Sequence, residues 1–224
     1  MKPALVTLLA LTLLAAAPAC AQDRRHPFTP EQPRLVQPGH REWTWDGGDK
    51  LAIEAPVILQ YRPSGTPRVV VTGPDALISH IQIGRGRVRV DNDWRLPGDN
   101  QITVTVTGVT VHDIALAGSG RADLNELNLD HLRLSMAGSG TVKANGRADQ
   151  IDLSVSGSGK ADLSAVGVRD ANILVAGSGD VRISPRDSAD VSIVGSGNVR
   201  MAVKPARLHQ TTTGSGRISF SDGK

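Results

Sequence analysis

The sequence contains one cysteine, Cys20, among 224 residues, and aromatic residues make up only 3% of the chain. Because the single cysteine has no partner, no disulfide bond can stabilise the fold. The formal net charge is only +3, and the few aromatic residues are not interleaved with Lys and Arg. These shortages argue against nucleic-acid binding, which requires a basic patch and commonly uses aromatic stacking.

Apolar residues at helical spacing are also lacking, and the second half of the chain repeats a triplet instead. Gly-Ser-Gly occurs six times, at intervals of 20, 19, 20, 18 and 19 residues. A fixed period of this length is typical of one structural unit stacked on itself, and glycine suits a sharp corner. The predicted structural corners are Gly118, Ser119 and Gly120; Gly138, Ser139 and Gly140; Gly157, Ser158 and Gly159; Gly177, Ser178 and Gly179; Gly195, Ser196 and Gly197; and Gly214, Ser215 and Gly216.

The residues on either side of each triplet alternate between apolar and polar. Leu132, Leu134 and Met136 precede one triplet at every second position, and Val142 and Ala144 follow it in the same way. A period of two predicts strands with one buried face, and so short a unit can bury that face only against its neighbours. We therefore predict an all-β fold, a parallel β-helix (β-solenoid) with coils of about 19 residues and Gly-Ser-Gly corners.

Charged residues support parallel stacking in register. Asp123, Lys143, Asp162, Arg182 and Arg200 each lie five residues after the start of a triplet. In-register coils place opposite charges side by side along most of this column, and each such pair is worth roughly 0.2–1 kcal/mol. The Arg182 and Arg200 neighbours are the exception and weaken the column there.

Residues 1–21 are predicted to be an export signal, because the positive Lys2 precedes an apolar stretch that is too short to span a membrane. Cleavage before Gln22 gives a periplasmic or secreted protein. The alternative is a lipoprotein box at residues 17–20, with Cys20 retained and lipidated, which gives an outer-membrane lipoprotein.

The remainder is predicted to be one domain preceded by a linker. Residues 22–42 contain several Pro and Arg residues and predict an irregular, exposed linker. Residues 43–222 form the predicted β-solenoid. Within it, residues 43–111 lack the triplet and predict irregular N-terminal coils or a small sheet that covers this end, whereas residues 112–222 carry the regular repeats.

The chain resembles the DUF2807 family, whose members are described as putative autotransporter adhesins with a head GIN domain. The resemblance covers about residues 43–222 and is clearest at Leu116-Ala-Gly-Ser-Gly, Met136-Ala-Gly-Ser-Gly, Val155-Ser-Gly-Ser-Gly and Val175-Ala-Gly-Ser-Gly. It implies a right-handed parallel β-helix in an exported or envelope protein, and an adhesin-like role. It brings no catalytic residues with it.

One set of residues is a candidate for polysaccharide chemistry on a β-helix. In-register stacking would bring Lys143, Asp162 and Arg182 together, an acid beside basic groups as a lyase or hydrolase would use. The acids of the repeats mostly lie beside Lys or Arg, however, so a solvated charge ladder is the favoured interpretation. We expect no enzymatic activity and no catalytic residue.

The sequence also predicts no cofactor and no metal site. The histidines lack metal-ligand spacing. A calcium ladder built on Asp123 is opposed by Lys143 and Arg182 at the equivalent positions. The histidines are His26, His40, His80, His112, His131 and His209.

Two further binding features have simpler structural interpretations. The stacked triplets could present backbone N–H groups as an anion-binding nest, although corner geometry alone explains their glycines. Trp43 and Trp45 share one face of a strand and could stack on a sugar, although a cap on the first coil is the favoured interpretation.

The leading function is therefore a non-enzymatic, exported binding or scaffolding module whose partner is an envelope protein or a glycan. The alternatives are a polysaccharide-active enzyme and a self-assembling structural module. No transmembrane span and no nucleic-acid partner are expected. At the C-terminal end we predict either weak end-to-end self-association through residues 214–222 or a cap folded back from residues 22–60.

Overall fold

The computed structural model describes residues 28–91 and 102–221 and confirms the predicted all-β solenoid. The strands before the first triplet are β1 (Leu35–Gln37), β2 (His40–Trp43), β3 (Lys50–Glu54), β4 (Ile58–Arg62), β5 (Arg68–Thr72), β6 (Ile81–Gly84), β7 (Arg87–Val90) and β8 (Thr103–Thr107). The strands around the triplets are β9 (Asp113–Gly118), β10 (Arg121–Gly138), β11 (Thr141–Gly157), β12 (Lys160–Gly177), β13 (Asp180–Ile183), β14 (Pro185–Gly195), β15 (Asn198–Met201), β16 (Arg207–Gly214) and β17 (Arg217–Phe220). The predicted export signal and Cys20 lie outside the described residues.

The triplet-bearing coils stack in parallel and in the predicted register. Leu134 of β10 lies beside Leu153 of β11, which lies beside Ile173 of β12. The first glycines of successive triplets are also direct neighbours, as at Gly138 and Gly157. An 18- to 20-residue repeat thus becomes a ladder in which equivalent residues lie one coil apart, about 4.8 Å.

Each regular coil has three corners, where the sequence predicted one sharp corner and a variable turn. The alternation of buried and exposed residues along β10 is interrupted at residues 125–126, at residues 130–131 and at the triplet. A register shift against β11 marks the first interruption, where Glu126 has a positive φ of 58°. Its N–H donates to the Asn145 Oδ1 at 3.0 Å, so an amide on the next coil holds this second corner in place of a glycine.

The core is a continuous column of mainly aliphatic side chains from the inward positions of β3 to β15. Leu134, Leu153 and Val155 are each at most 2% exposed, and burying one such side chain is worth about 1.5–3 kcal/mol. Tyr61 differs from these aliphatic residues because it brings a polar hydroxyl group into the core. Its hydroxyl donates to the Val109 carbonyl at 2.9 Å and accepts from the Val111 N–H at 3.0 Å, and burial raises the pKa of this phenol.

The N-terminal end is closed by antiparallel strands. β7 and β8 continue the parallel stack beneath β3 and β4. β6 then pairs antiparallel with β7, β5 with β8, β2 with β5 and β1 with β2. We call the described residues 28–49, together with β5, β6 and the short helix α1 (Asp75–Ile78), the N-terminal cap.

Two predictions about this segment are wrong. Residues 35–42 are not an irregular linker, because β1 and β2 extend the sheet beyond β5. Trp43, at the end of β2, is only 2% exposed, and its burial explains why this stretch is ordered into strands. Residues 28–60 also do not fold back over the C-terminal coil, since their strands lie at the opposite end of the solenoid.

Candidate binding surface

The Gly-Ser-Gly corners require glycine at both ends of the triplet for different reasons. Gly138 has a φ of 113°, and a Cβ atom there would lie 2.5 Å from the Gly118 carbonyl oxygen of the preceding coil. At the third position, a Cβ atom on Gly179 would lie 2.7 Å from the Val155 Cγ1 atom in the core. The first glycine therefore permits close coil stacking, and the third leaves room for a core side chain.

The corner amides are used for stacking and do not form an anion-binding nest. The Ser139 N–H donates to the Gly118 carbonyl oxygen at 3.0 Å, and the Ser158 N–H donates to that of Gly138 at 2.9 Å. The pattern continues through the Ser178 N–H, which lies 2.8 Å from its acceptor. An N–H that donates to the neighbouring coil is not available to an anion, so the nest hypothesis is wrong for these corners.

Lys143, Asp162 and Arg182 are direct neighbours on three successive coils, as the enzyme hypothesis required. They line a shallow surface cleft of about 280 Å³, and Arg182 Nη1 lies 3.7 Å from Asp162 Oδ2. The Ser164 hydroxyl donates to Asp162 Oδ1 at 2.6 Å. This hydrogen bond, assisted by the charges of Arg182 and Lys143, lowers the pKa of Asp162 despite partial burial.

A carboxyl group with a lowered pKa stays ionised at neutral pH and is a poor general acid. Glycoside hydrolysis also needs a second carboxyl group on the other side of the scissile bond. The residues directly beside Asp162 are cations. The other carboxylate that lines the cleft, Asp180, accepts a hydrogen bond from Asn198 Nδ2 at 3.0 Å. The geometry of this cluster therefore fits electrostatic attraction of an anion better than acid–base catalysis.

The surface around this cluster carries an ordered row of cations. We call it the triplet-following face, formed by the outward residues three and five positions after each triplet start. In the described structure, each of six stacked strand segments contributes one Lys or Arg to these two columns. These cations are Arg121, Lys143, Lys160, Arg182, Arg200 and Arg217. The same columns contain three carboxylates, Asp123, Asp162 and Asp180.

Arg200 differs from most of this row in having another cation as its ladder neighbour. It lies directly beside Arg182 in the parallel ladder, and like charges opposite each other are destabilising. The nearby Asp180 accepts a hydrogen bond from Asn198 Nδ2 at 3.0 Å. Among the described residues, Arg200 has neither an ion-pair partner nor a side-chain hydrogen bond.

The strands that precede the triplets present a different surface, which we call the triplet-preceding face. The column five positions before each triplet contains Asp113, Arg133, Asp152, Asn172, Asp190 and His209. Here Asp152 accepts from Asn172 Nδ2 at 2.8 Å and lies 3.8 Å from Arg133 Nη2. This column has more carboxylates than Lys or Arg, and several of its groups satisfy one another.

The remaining candidate residues have structural roles. Trp43 is buried and its Nε1 donates to the Glu31 carbonyl at 3.1 Å, while the half-buried Trp45 donates to the Gly48 carbonyl at 2.9 Å. The two rings are therefore part of the N-terminal cap, and Trp43 has no free surface for a sugar. His80 Nδ1 lies 2.8 Å from Asp91 Oδ2.

No group of three or more His, Cys, Asp or Glu residues able to hold a metal ion occurs within residues 28–91 and 102–221. In the same part of the chain, no helix is long and apolar enough to cross a bilayer.

Sequence reasoning missed a pair of carboxyl groups in the N-terminal cap. A hydrogen bond between the side chains of Glu31 and Asp46, together with burial, raises the pKa of Glu31 to about 7. Asp46 also accepts from the Arg85 N–H at 3.0 Å. The residues belong to segments without a repeat, so no spacing in the sequence pointed to their contact.

Comparisons with known proteins identify a family and support the fold. The family DUF2807, described as "Putative auto-transporter adhesin, head GIN domain", matches residues 49–205. No curated protein sequence matches the chain.

Several solved structures are similar in fold. A putative adhesin from Bacteroides fragilis NCTC 9343 has a TM-score of 0.65 and 19% identity, over 81% of this chain and 95% of that chain. A putative adhesin and a putative lipid binding protein, both from Parabacteroides distasonis ATCC 8503, have TM-scores of 0.54 and 0.53 and identities of 18% and 19%, with the same coverage. At such low identity these structures support the fold alone.

Proposed function

The chain belongs to the DUF2807 family, and from this membership we propose that it is an exported, non-enzymatic, adhesin-like module that holds its partner on a long sheet face. The observation that carries the proposal is the triplet-following face, where one Lys or Arg per stacked strand is displayed on a rigid, hydrogen-bonded ladder. The parallel stack fixes the spacing of these groups before any partner arrives. A backbone whose spacing is fixed in advance favours binding, because no conformational entropy is lost in ordering it.

The same family membership supports an exported location. An adhesin-like role requires that the protein leave the cytoplasm, and the N-terminal export signal expected from the sequence provides the route. We propose a periplasmic or secreted location, or an outer-membrane lipoprotein if Cys20 is lipidated. Fractionation of cells that express the full chain and its Cys20→Ser variant distinguishes these locations, since only a lipoprotein would lose its membrane association in the variant.

A polysaccharide-active enzyme is the less favoured function. The cluster of Lys143, Asp162 and Arg182 contains one carboxylate, whose lowered pKa makes it a poor general acid, and the nearby Asp180 is hydrogen-bonded to Asn198. Incubation with pectin, alginate or a glycosaminoglycan should release neither reducing ends nor unsaturated products. Release that disappears in Asp162→Asn would overturn the non-enzymatic proposal and locate the site.

The purified protein can be tested directly on a glycan array with envelope extracts as a second set of probes. We expect saturable binding to a defined set of ligands without any change in them. Lipid binding, suggested only by the description of one similar structure, would appear instead as retention by vesicles. Absence of saturable binding to glycans, envelope proteins and vesicles alike would contradict the proposal.

A further inference from the structure

The cations of the triplet-following face are regular in space although they are irregular in sequence. They are divided between the two outward columns, yet each stacked strand segment contributes one of them. Neighbouring strands lie about 4.8 Å apart, so six strands spread the row over about 24 Å along the solenoid axis. A ligand that matches this row must itself carry negative charges at short, regular intervals along a line.

Ion pairing within the protein accounts for only part of the row. Lys143, Lys160 and Arg182 each lie beside a carboxylate in the ladder, whereas the other three cations do not. Asp162 and Arg182 form the ion pair of this face, at 3.7 Å, while Asp180 is bonded to Asn198. Arg182 and Arg200 repel each other as direct neighbours. A like-charge contact on an exposed sheet weakens the fold slightly, whereas a bound anion between the two guanidinium groups would reverse the sign of that interaction.

We propose that the triplet-following face binds a linear acidic polysaccharide along the solenoid axis, with Arg182 and Arg200 as its central contacts. The inference rests on the proposed binding function and names the chemical class of its ligand. The charged groups of a polyuronate or sulfated chain recur with each sugar or pair of sugars and can follow a row of cations strand by strand. Guanidinium groups bind carboxylates and sulfates through paired hydrogen bonds.

Other polyanions fit this face less well. A membrane surface is negatively charged everywhere and would also face Asp123, Asp162 and Asp180, which lie among the cations. A nucleic acid would be expected to use aromatic stacking or a larger basic excess, and the two columns hold no aromatic residue. A narrow polymer can pass over the cations while its neutral edges lie beside the carboxylates.

Affinity electrophoresis and calorimetry with polygalacturonate test the proposal, with dextran as the neutral polymer. We expect binding to polygalacturonate that weakens with salt, and none to dextran. The double variant Arg182→Ala/Arg200→Ala should bind about tenfold more weakly. The matched control is Arg133→Ala/Arg147→Ala, which removes the same charge from elsewhere on the solenoid and should bind as the unmodified protein does.

Thermal unfolding supplies a second measurement. Arg200→Ala should unfold at the same or a higher temperature than the unmodified protein, because it removes the repulsion with Arg182. Added polygalacturonate should raise the melting temperature of the unmodified protein and should have little effect on the Arg182→Ala/Arg200→Ala variant. A variant that melts much earlier without ligand would show that Arg200 is structural and would overturn its assigned role.

The outcomes separate this inference from the broader proposal. Equal weakening in both double variants would show attraction by bulk charge, and stronger retention by phosphatidylglycerol vesicles than by polygalacturonate would point to a membrane. Either result overturns the polysaccharide assignment. If the protein bound a neutral glycan or an envelope protein at another surface and did not bind polygalacturonate, the assignment would be wrong but the binding function would stand. Cleavage of polygalacturonate would overturn the binding function itself.

Discussion

At the scale of single residues, the first glycine of each triplet sets how closely the coils approach. Gly157 has a φ of 112°, and an added Cβ atom would lie 2.6 Å from the Gly138 carbonyl oxygen. We expect Gly157→Ala to lower the free energy of unfolding by at least about 2 kcal/mol, from backbone strain and overpacking. Gly167→Ala, on the next strand β12, is the matched control, since an added Cβ atom there would lie 3.7 Å from its nearest neighbour. Chemical denaturation measures the free energy of unfolding of both variants. Equal values would refute the steric argument.

The inward and outward register is tested at two adjacent residues. Leu153 is 2% exposed between stacked aliphatic layers, whereas Ser154 points outward and is half-buried. Leu153→Asp should destabilise the protein by about 4 kcal/mol or more, because a charge would be left unpaired in the core. Ser154→Asp should change the melting temperature little. Similar melting temperatures for the two variants would be incompatible with this register.

At the scale of elements, the N-terminal cap should respond to pH. The pKa of Glu31 is raised from 4.5 to about 7, so the folded state binds a proton more tightly than the unfolded state does. This contribution to stability is complete below pH 4.5, declines as pH rises and is lost above about 7. We therefore expect the cap to be less stable at pH 8 than at pH 5. Emission from Trp43 and Trp45 during denaturation provides the measurement.

Glu31→Gln should flatten this dependence, because it removes the titrating group but keeps a side chain that can donate to Asp46. Glu54→Gln, on β3 and outside the carboxyl pair, is the control and should leave the pH dependence unchanged. A cap whose stability rises between pH 5 and pH 8 would contradict the assigned direction.

The elements also show which parts of the fold can be predicted from the sequence. The register of β10 to β12 could be predicted because an 18- to 20-residue period and a two-residue alternation coincide over several repeats. The corner at Glu126 could not be predicted, because no glycine marks it and it is held by the Asn145 amide of the next coil. The pairing of β2 with β5 was missed for a similar reason, since it joins segments that share no repeat.

Part of the candidate surface could also be predicted from the repeat period. The adjacency of Lys143, Asp162 and Arg182 follows from the period alone. The row of one cation per strand was not recognised, because its members are divided between two columns and form a single row only when both columns are seen on one face. The contact of Glu31 with Asp46 depends on the antiparallel cap and has no sequence signal.

At the scale of the whole molecule, the two ends of the solenoid differ. Among the described residues, β16 and β17 have a hydrogen-bonded neighbour on one side only. Phe220, in the terminal coil, is 36% exposed. Gln210 and Thr212 occupy positions that hold Val191 and Ile193 one coil earlier, so the terminal coil offers a more polar surface than the core beneath it. An unpaired edge promotes association with another strand, and this polarity should keep the association weak.

The opposite end offers an edge of its own. β1 pairs with β2 on one side, and Val36 on this strand is 60% exposed. Contact between unlike ends would be heterologous and would build an open filament, whereas contact between two C-terminal coils would close as a dimer. We expect weak association that grows with protein concentration. Light scattering coupled to size exclusion measures it.

Phe220→Lys should abolish this association, because lysine protects an exposed edge and removes apolar surface from the terminal coil. Val194→Lys is the matched control: Val194 is 46% exposed but lies on the side of the solenoid, so association should persist. Val36→Lys then distinguishes the two arrangements, since it should disrupt a filament of unlike ends and leave a dimer of C-terminal coils intact. A protein that stays monomeric at every concentration, or one whose association Val194→Lys abolishes, would refute docking through the terminal coil.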